Sequence, residues 1–188
     1  MGTSNIQSRR QLLAIKIVWA ILFILIGIGI VFYCRYHGLF LPNWVIWEMN
    51  QSDLGNNKRI QLANKKLSYY QDDTLLWESE KDWKISKYLI TDIDEDDQDE
   101  VIMLLWNRGD YGDYHPIWEK PDKINYYEHL YVFNLEDNRL ERQWMSSRLL
   151  PLIKELEIGK ENTLVAKDPE GVPTTWKWIT WGFTAINP

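Results

Sequence analysis

The stretch that decides the fold runs from Tyr88 to Trp106 and reads YLITDIDEDDQDEVIMLLW. Two short runs rich in Ile, Leu and Val flank an acidic loop, and runs of this length and composition are typical of β-strands. Seven carboxylates fall within the nine residues 92–100. The stretch therefore predicts two strands joined by a loop that carries a dense group of oxygen ligands.

The spacing of the acidic residues is that of a cation-binding loop. Calcium takes six to eight hard oxygen ligands, which a tight loop with alternating carboxylates supplies. The candidate ligands, at relative positions 1, 3, 5, 7 and 9, are Asp92, Asp94, Asp96, Gln98 through its backbone carbonyl, and Glu100. The loop is not an EF-hand, because position 12 is Met103. Calcium is the predicted cofactor, and a solvated acidic turn without an ion is the alternative.

The stretch from Asp92 to Ile102 resembles the D-x-D-x-D-G-x-x-[DE]-[IVL] loop of FG-GAP and VCBS-type repeats. The resemblance extends over roughly residues 66–186. This part of the chain looks similar to small, membrane-anchored bacterial members of these repeat families whose function is unknown. It implies propeller-blade-like sheets and a calcium loop. Asp97 stands where the motif has glycine, a position that usually takes a left-handed backbone conformation.

Outward from this loop, the chain after Trp44 shows short apolar runs separated by turn residues, without sustained helical periodicity. Eleven runs are predicted as strands: 59–63, 67–70, 74–78, 83–90, 101–106, 127–135, 140–146, 153–158, 163–167, 174–178 and 183–186. They predict an all-β, antiparallel domain with two or three blade-like sheets, too few for a full propeller. A short helix over residues 149–158 is an alternative prediction, because apolar residues recur there at helical spacing.

The N-terminal part is different. Residues 12–33 contain one charge, Lys16, and are long enough to cross a bilayer as a helix. The run is too long for a cleaved signal peptide and lacks a small-residue cleavage site. It predicts a single transmembrane signal anchor between a tail at 1–11, a juxtamembrane stalk at 34–57 and an exported β domain at 58–188. Arg9, Arg10 and Lys16 precede the centre of the span and only Arg35 follows it closely, so the N-terminus is predicted to be cytoplasmic.

The formal net charge of −6 is an average over these two parts. The four basic residues up to Arg35 leave 17 basic and 27 acidic residues in the remainder, a net charge of −10. This acidity argues against binding to nucleic acid. A single cysteine, Cys34, excludes an intramolecular disulfide scaffold and a cysteine-rich metal site.

Residues 107–126 form the longest predicted loop, and loops of this length in compact domains are often functional. Tyr111, Tyr114, His115 and Trp118 are its candidate ligand-binding residues, with a protein or a glycan as the partner. The sequence therefore predicts a membrane-anchored, extracytoplasmic β protein that acts as a non-catalytic binding or structural module. The alternatives are an enzyme, or enzyme accessory, acting on cell-wall glycan, and a subunit of a larger membrane complex.

Overall fold

The computed structural model of the protein describes residues 3–112, 117–120 and 122–187. One helix, α1 (Thr3–Tyr36), precedes twelve strands in this part of the chain. The strands are β1 (Asn50–Gly55), β2 (Lys58–Ala63), β3 (Lys66–Gln71), β4 (Thr74–Glu78), β5 (Lys84–Thr91), β6 (Glu100–Arg108), β7 (Tyr126–Leu135), β8 (Leu140–Met145), β9 (Glu155–Ile158), β10 (Leu164–Lys167), β11 (Pro173–Ile179) and β12 (Gly182–Asn187). The chain divides into two compact units, Met1–Phe40 and Leu41–Pro188.

The predicted N-terminal apolar helix is confirmed. Within α1, Ile15–Tyr36 form a stretch of 22 residues with a mean hydropathy of 2.8 that is long and apolar enough to cross a membrane. At 1.5 Å per residue it spans about 33 Å, close to the thickness of a bilayer core. The stretch begins and ends three residues later than predicted. This helix is consistent with single-pass anchoring of the chain.

The second unit contains three four-stranded antiparallel sheets, which are β1–β4, β5–β8 and β9–β12. In each sheet, strands that follow one another in sequence are also neighbours in space. Two-residue turns with positive φ at both positions, such as Asn56-Asn57 and Glu161-Asn162, join several pairs and suit the twist of a hairpin. No sheet in the described part of the chain closes into a barrel. The prediction of an all-β domain with blade-like sheets, short of a full propeller, is confirmed.

The hydrophobic interior lies on both faces of the central sheet, β5–β8. Val101, Met103 and Leu105 of β6 belong to one buried cluster, together with residues of the first sheet such as Ile60. The alternate residues of β6, Ile102 and Leu104, belong to a second cluster with residues of the third sheet. Both faces of β6 are therefore buried, which explains its uninterrupted apolar sequence.

The two outer sheets are amphipathic. In β2, buried Ile60 and Leu62 alternate with the more polar Arg59 and Gln61. In the third sheet, buried Leu156 of β9 lies next to exposed Glu157. This alternation places apolar side chains toward the central sheet and polar ones on the opposite face. The stack therefore has an apolar interior and two polar outer faces.

Two sequence interpretations differ from the structure. Asn50–Gly55, which was predicted to belong to the stalk at 34–57, forms β1 and pairs with β2. Its sequence, NQSDLG, lacks the apolar alternation of a strand because β1 lies at the edge of its sheet. The alternative helix over 149–158 does not form, and Glu155–Ile158 instead pair with β10 as a strand.

Candidate metal centre

The acidic loop connects β5 to β6 at one end of the central sheet. The Asp92 carboxylate closes it, because Oδ1 accepts a hydrogen bond from the Asp96 amide and Oδ2 accepts one from the Asp97 amide, each at 3.0 Å. Glu95 and Asp97 have φ angles of 65° and 68°. The left-handed conformation predicted for position 97 is therefore present, held in a residue other than glycine.

Three of the five predicted ligands lie together. Asp92, Asp94 and Glu100 each offer a carboxylate oxygen, and these oxygens lie within 4.8 Å of one another. Calcium–oxygen distances of 2.3–2.6 Å allow one ion to contact oxygens separated by up to about 5 Å. The cluster therefore has the spacing that a shared calcium ion requires.

Glu100 is the buried member of the cluster. It is the first residue of β6. Glu100 is 2% exposed, and its carboxylate accepts a hydrogen bond from the Ile93 amide at 2.9 Å. Burial raises the pKa of Glu100 to about 7, the amide of Ile93 opposes the rise, and the negative charges of Asp94, Asp96 and Asp92 add to it. A cation here would favour the ionised form of Glu100 and offset the repulsion among the carboxylates.

A residue outside the loop reaches the cluster. Gln143 of β8 donates a hydrogen bond from Nε2 to Asp94 Oδ2 at 2.6 Å. Asp94 Oδ1 and Gln143 Oε1 are both buried, and neither has a hydrogen-bond partner in the described part of the chain. Buried oxygens without partners are costly, and both are of the type that calcium accepts as a ligand. The residues present therefore fit a hard cation.

Asp96 and Gln98 lie outside the three-carboxylate cluster. The Gln98 amide donates to Asp96 Oδ1 at 2.9 Å, and Gln98 Nε2 donates to Asp96 Oδ2 at 3.3 Å. Both side chains are exposed. Their mutual hydrogen bonds shape the turn, while the negative charge of Asp96 still acts on Glu100.

The second predicted site lies in the loop between β6 and β7. Trp118 is 83% exposed and Tyr111 is 38% exposed, whereas Tyr114 and His115 lie outside the described residues. Tyr111 lines a cavity of about 70 Å³ together with Asp110, Asp122 and other loop residues, and Trp118 does not line it. The structure therefore does not gather the described aromatic residues of this loop into one pocket.

The sequence analysis missed two buried polar groups next to that loop. Glu128 of β7 is 1% exposed, and its Oε2 accepts a hydrogen bond from the Ile153 amide at 2.6 Å. Burial raises the pKa of Glu128 to about 8, although the Ile153 amide opposes the rise. His129 is fully buried, with its two ring nitrogens 3.1 Å from the carbonyl oxygens of Ser146 and Gly109.

These contacts show what the missed residues do. Glu128 binds the segment between β8 and β9, and His129 binds the ends of the segments that follow β6 and β8. Both residues are buried. Gln143 was missed because only the pairing of β7 with β8 brings it near the acidic loop. Gln143 is not part of any ligand motif in the sequence, so no local pattern marks it as a candidate ligand.

Comparison with known proteins adds no relative to these observations. No protein-family model, no curated protein and no solved structure matches this chain.

Proposed function

We propose that this chain is a single-pass membrane protein whose β domain lies outside the cytoplasm and serves as a non-catalytic binding or structural module. The observation that carries the proposal is the cluster of Asp92, Asp94 and Glu100, a cation-type site in a loop of the domain's central sheet. The resemblance of this loop to the calcium loops of FG-GAP and VCBS-type repeats supports the same reading.

Calcium would be held by the carboxylates of Asp92, Asp94 and Glu100, with Gln143 Oε1 as a further oxygen from β8. The ion would supply positive charge to a group of carboxylates that otherwise repel one another. Because Gln143 lies on β8 and the loop joins β5 to β6, the same contact would connect the two edge strands of the central sheet. The role of the ion in this proposal is therefore structural.

A catalytic role on glycan requires two convergent carboxylates outside the metal loop, one of them with a raised pKa. Glu128 has the raised pKa, but it is buried behind the segment that contains Ile153. Burial accounts for the raised pKa against the opposing hydrogen bond from the Ile153 amide, and the charge of a second carboxylate does not contribute. These features of Glu128 favour the non-catalytic proposal over a glycan hydrolase.

Thermal unfolding of the full chain in detergent tests the calcium site. We expect millimolar calcium to raise the melting temperature of the wild type, since a ligand at one hundred times its Kd stabilises the folded state by about 2.7 kcal/mol. Asp94→Asn should abolish the shift. Asp99→Asn is the matched control, because Asp99 is exposed in the same loop and lies outside the cluster. No shift in the wild type, or an equal shift in Asp94→Asn, would refute the site.

The predicted orientation is tested by labelling with a membrane-impermeant maleimide in intact cells. Both variants carry Cys34→Ser, and one new cysteine replaces either Ser4 or Asp137. We expect Asp137→Cys to react in intact cells and Ser4→Cys to react only after permeabilisation, because basic residues are retained on the cytoplasmic side. The opposite labelling pattern would overturn the orientation.

The proposed binding role rests on exposed aromatic side chains, and Trp118 is the candidate with the clearest exposure. We expect Trp118→Ala to weaken co-sedimentation of the full chain with purified cell-wall glycan, since aromatic rings stack on apolar sugar faces. Trp181→Ala is the matched control, because Trp181 is also highly exposed but lies in the turn between β11 and β12. Equal binding by both variants and the wild type would exclude Trp118 from glycan recognition.

A further inference from the structure

Residues 41–49, here called the docked segment, are part of the folded β domain. The Glu48 amide donates a hydrogen bond to the Ser86 carbonyl oxygen at 3.0 Å, and Lys87 Nζ lies 2.8 Å from Glu48 Oε1. Lys65 Nζ lies 4.1 Å from the centre of the Trp47 ring, which is the distance of a cation–π contact. The docked segment is therefore fixed to the first and central sheets before β1 begins.

The docked segment turns large apolar side chains toward solvent. Ile46 is 64% exposed and Met49 is 77% exposed, while Val45 and Trp47 on either side of Ile46 are partly buried. A side chain on a free flexible linker could turn away from water, but these positions are fixed by the contacts of Trp47 and Glu48. Fixed, exposed apolar side chains three residues apart in one segment indicate an interaction surface.

The charges around the docked segment differ from those of the whole domain. The two carboxylates that line the cavity beside it, Glu48 and Glu155, are each paired with a lysine, at Lys87 and Lys167. Lys65 lies over Trp47, and Lys154 lines the same cavity as Trp44 and Ile46, with a volume of about 150 Å³. These six charged groups carry a net charge of +2 (four lysines and two glutamates), although the chain after Arg35 has a net charge of −10.

The docked segment is also close in sequence to the apolar span. That span ends at Tyr36, and Ile46 follows it by ten residues, which reach at most about 36 Å when fully extended. We propose that the docked segment rests on the membrane surface, with Ile46 and Met49 at the boundary between headgroups and acyl chains. Lys65 and Lys154 would then face anionic lipid phosphates. This inference rests on the proposed membrane anchoring by α1.

Depth-dependent quenching in nanodiscs tests the proposal with the full chain. In a Cys34→Ser background, single cysteines at Ile46, Met49, Leu75 and Ile24 carry an environment-sensitive fluorophore. The nanodiscs contain phosphatidylcholine, phosphatidylglycerol and lipids spin-labelled near the headgroup or deep in the acyl chain. Leu75 is the matched control, because it is a 49% exposed apolar residue on β4.

We expect probes at 46 and 49 to be quenched at least twofold more strongly by the shallow spin label than the probe at 75. Equal quenching at 46, 49 and 75 would overturn the inference. The probe at Ile24 separates the two proposals, because quenching there by the deep label supports anchoring whatever the result at 46. If the probe at 24 is not quenched, the anchoring proposal fails as well.

The lipid charge provides a second test. Replacing phosphatidylglycerol by phosphatidylcholine should reduce quenching at 46, and Lys154→Gln should reduce it in the presence of phosphatidylglycerol. Asp137→Asn is the charge control, since Asp137 lies in the turn between β7 and β8. Quenching at 46 that is the same in both lipid mixtures would overturn the role of the lysines.

Discussion

The two ends of the central sheet each contain a buried glutamate. Comparing them shows that burial alone does not make a glutamate a candidate ligand. Glu100 begins β6, and Glu128 lies opposite Trp106 near the other end of that strand. Their side chains are 2% and 1% exposed, and both have a raised pKa. Burial is the largest cause of both raised pKa values, but three aspartates add to the rise at Glu100 and no other carboxylate adds to the rise at Glu128. Equal burial thus yields a candidate ion ligand at one end and a packing contact at the other.

Replacing Glu128 by a neutral residue tests whether Glu128 is a buried packing group without charge. Because folding raises its pKa from 4.5 to about 8, its ionisation is disfavoured in the folded state. The corresponding stability is complete below pH 4.5 and is lost as the pH rises through 8. Glu128→Gln should therefore stabilise the domain by roughly 3–5 kcal/mol at pH 9 and little at pH 4.

Urea unfolding across this pH range measures the effect of Glu128→Gln. Glu157→Gln, on the exposed face of β9, is the matched control and should keep the wild-type dependence. The same pH dependence in Glu128→Gln and the wild type would show that Glu128 is not the neutral buried group that the structure implies.

A substitution that creates a cavity in the middle of β6, between the two glutamates, tests the core that the central sheet shares with the first sheet. Leu105 of β6 is fully buried in the cluster shared with the first sheet. Leu105→Ala should destabilise the domain by about 3 kcal/mol in denaturant unfolding, as large-to-small core substitutions do. Leu75→Ala, at an exposed position, should have little effect. A small effect of Leu105→Ala would contradict a shared core.

The acidic end should respond to pH in a manner that depends on calcium. Without the ion, the pKa of Glu100, raised from 4.5 to about 7, implies that stability falls as the pH rises across this range. Calcium binding requires the ionised form, so the affinity should fall by about tenfold per pH unit below 7.

Calorimetric titration at pH 6 and 8, in buffers of different ionisation enthalpy, measures calcium affinity and proton release together. Glu100→Gln should bind calcium more weakly and release no proton. The wild type should release close to one proton on binding at pH 6 and little at pH 8, because Glu100 is then already ionised. Binding by the wild type at pH 6 without proton release would refute the assignment of Glu100 as a ligand.

The smallest expected effect concerns the backbone of the acidic loop. Asp97 has a φ angle of 68°, which glycine adopts with less strain. Asp97→Gly should therefore stabilise the domain by about 0.5–1 kcal/mol, measured by thermal unfolding without calcium. Asp99→Gly serves as the control, because Asp99 is not among the residues with positive φ. Equal stabilisation by both would indicate an effect of charge rather than conformation.

Local sequence patterns predict most of this fold. Eleven of the twelve strands follow from apolar runs and turn residues, because each sheet forms from neighbouring segments of the chain. β1 was missed since its edge position demands little burial, although Asn56-Asn57 is a hairpin turn that could have indicated it.

The candidate site was predictable only where it is local. Asp92, Asp94 and Glu100 lie within nine residues, so the loop alone brings them together. Gln143 follows these residues by 43 or more positions in sequence and reaches the site only because its strand pairs within the central sheet. A pattern within the loop cannot reveal such a contact. Glu128 was missed because a charged residue in a strand ordinarily indicates an exposed face.

The order of strands within the sheets has a consequence for how the protein folds. Because every sheet is a meander of consecutive strands, most backbone pairing joins residues that are close in sequence. Such a low contact order for an all-β domain favours rapid folding. It also allows the first sheet to form before the third has been synthesised. The domain can therefore build its two cores one after the other, from the N-terminal sheet onward, as the chain emerges.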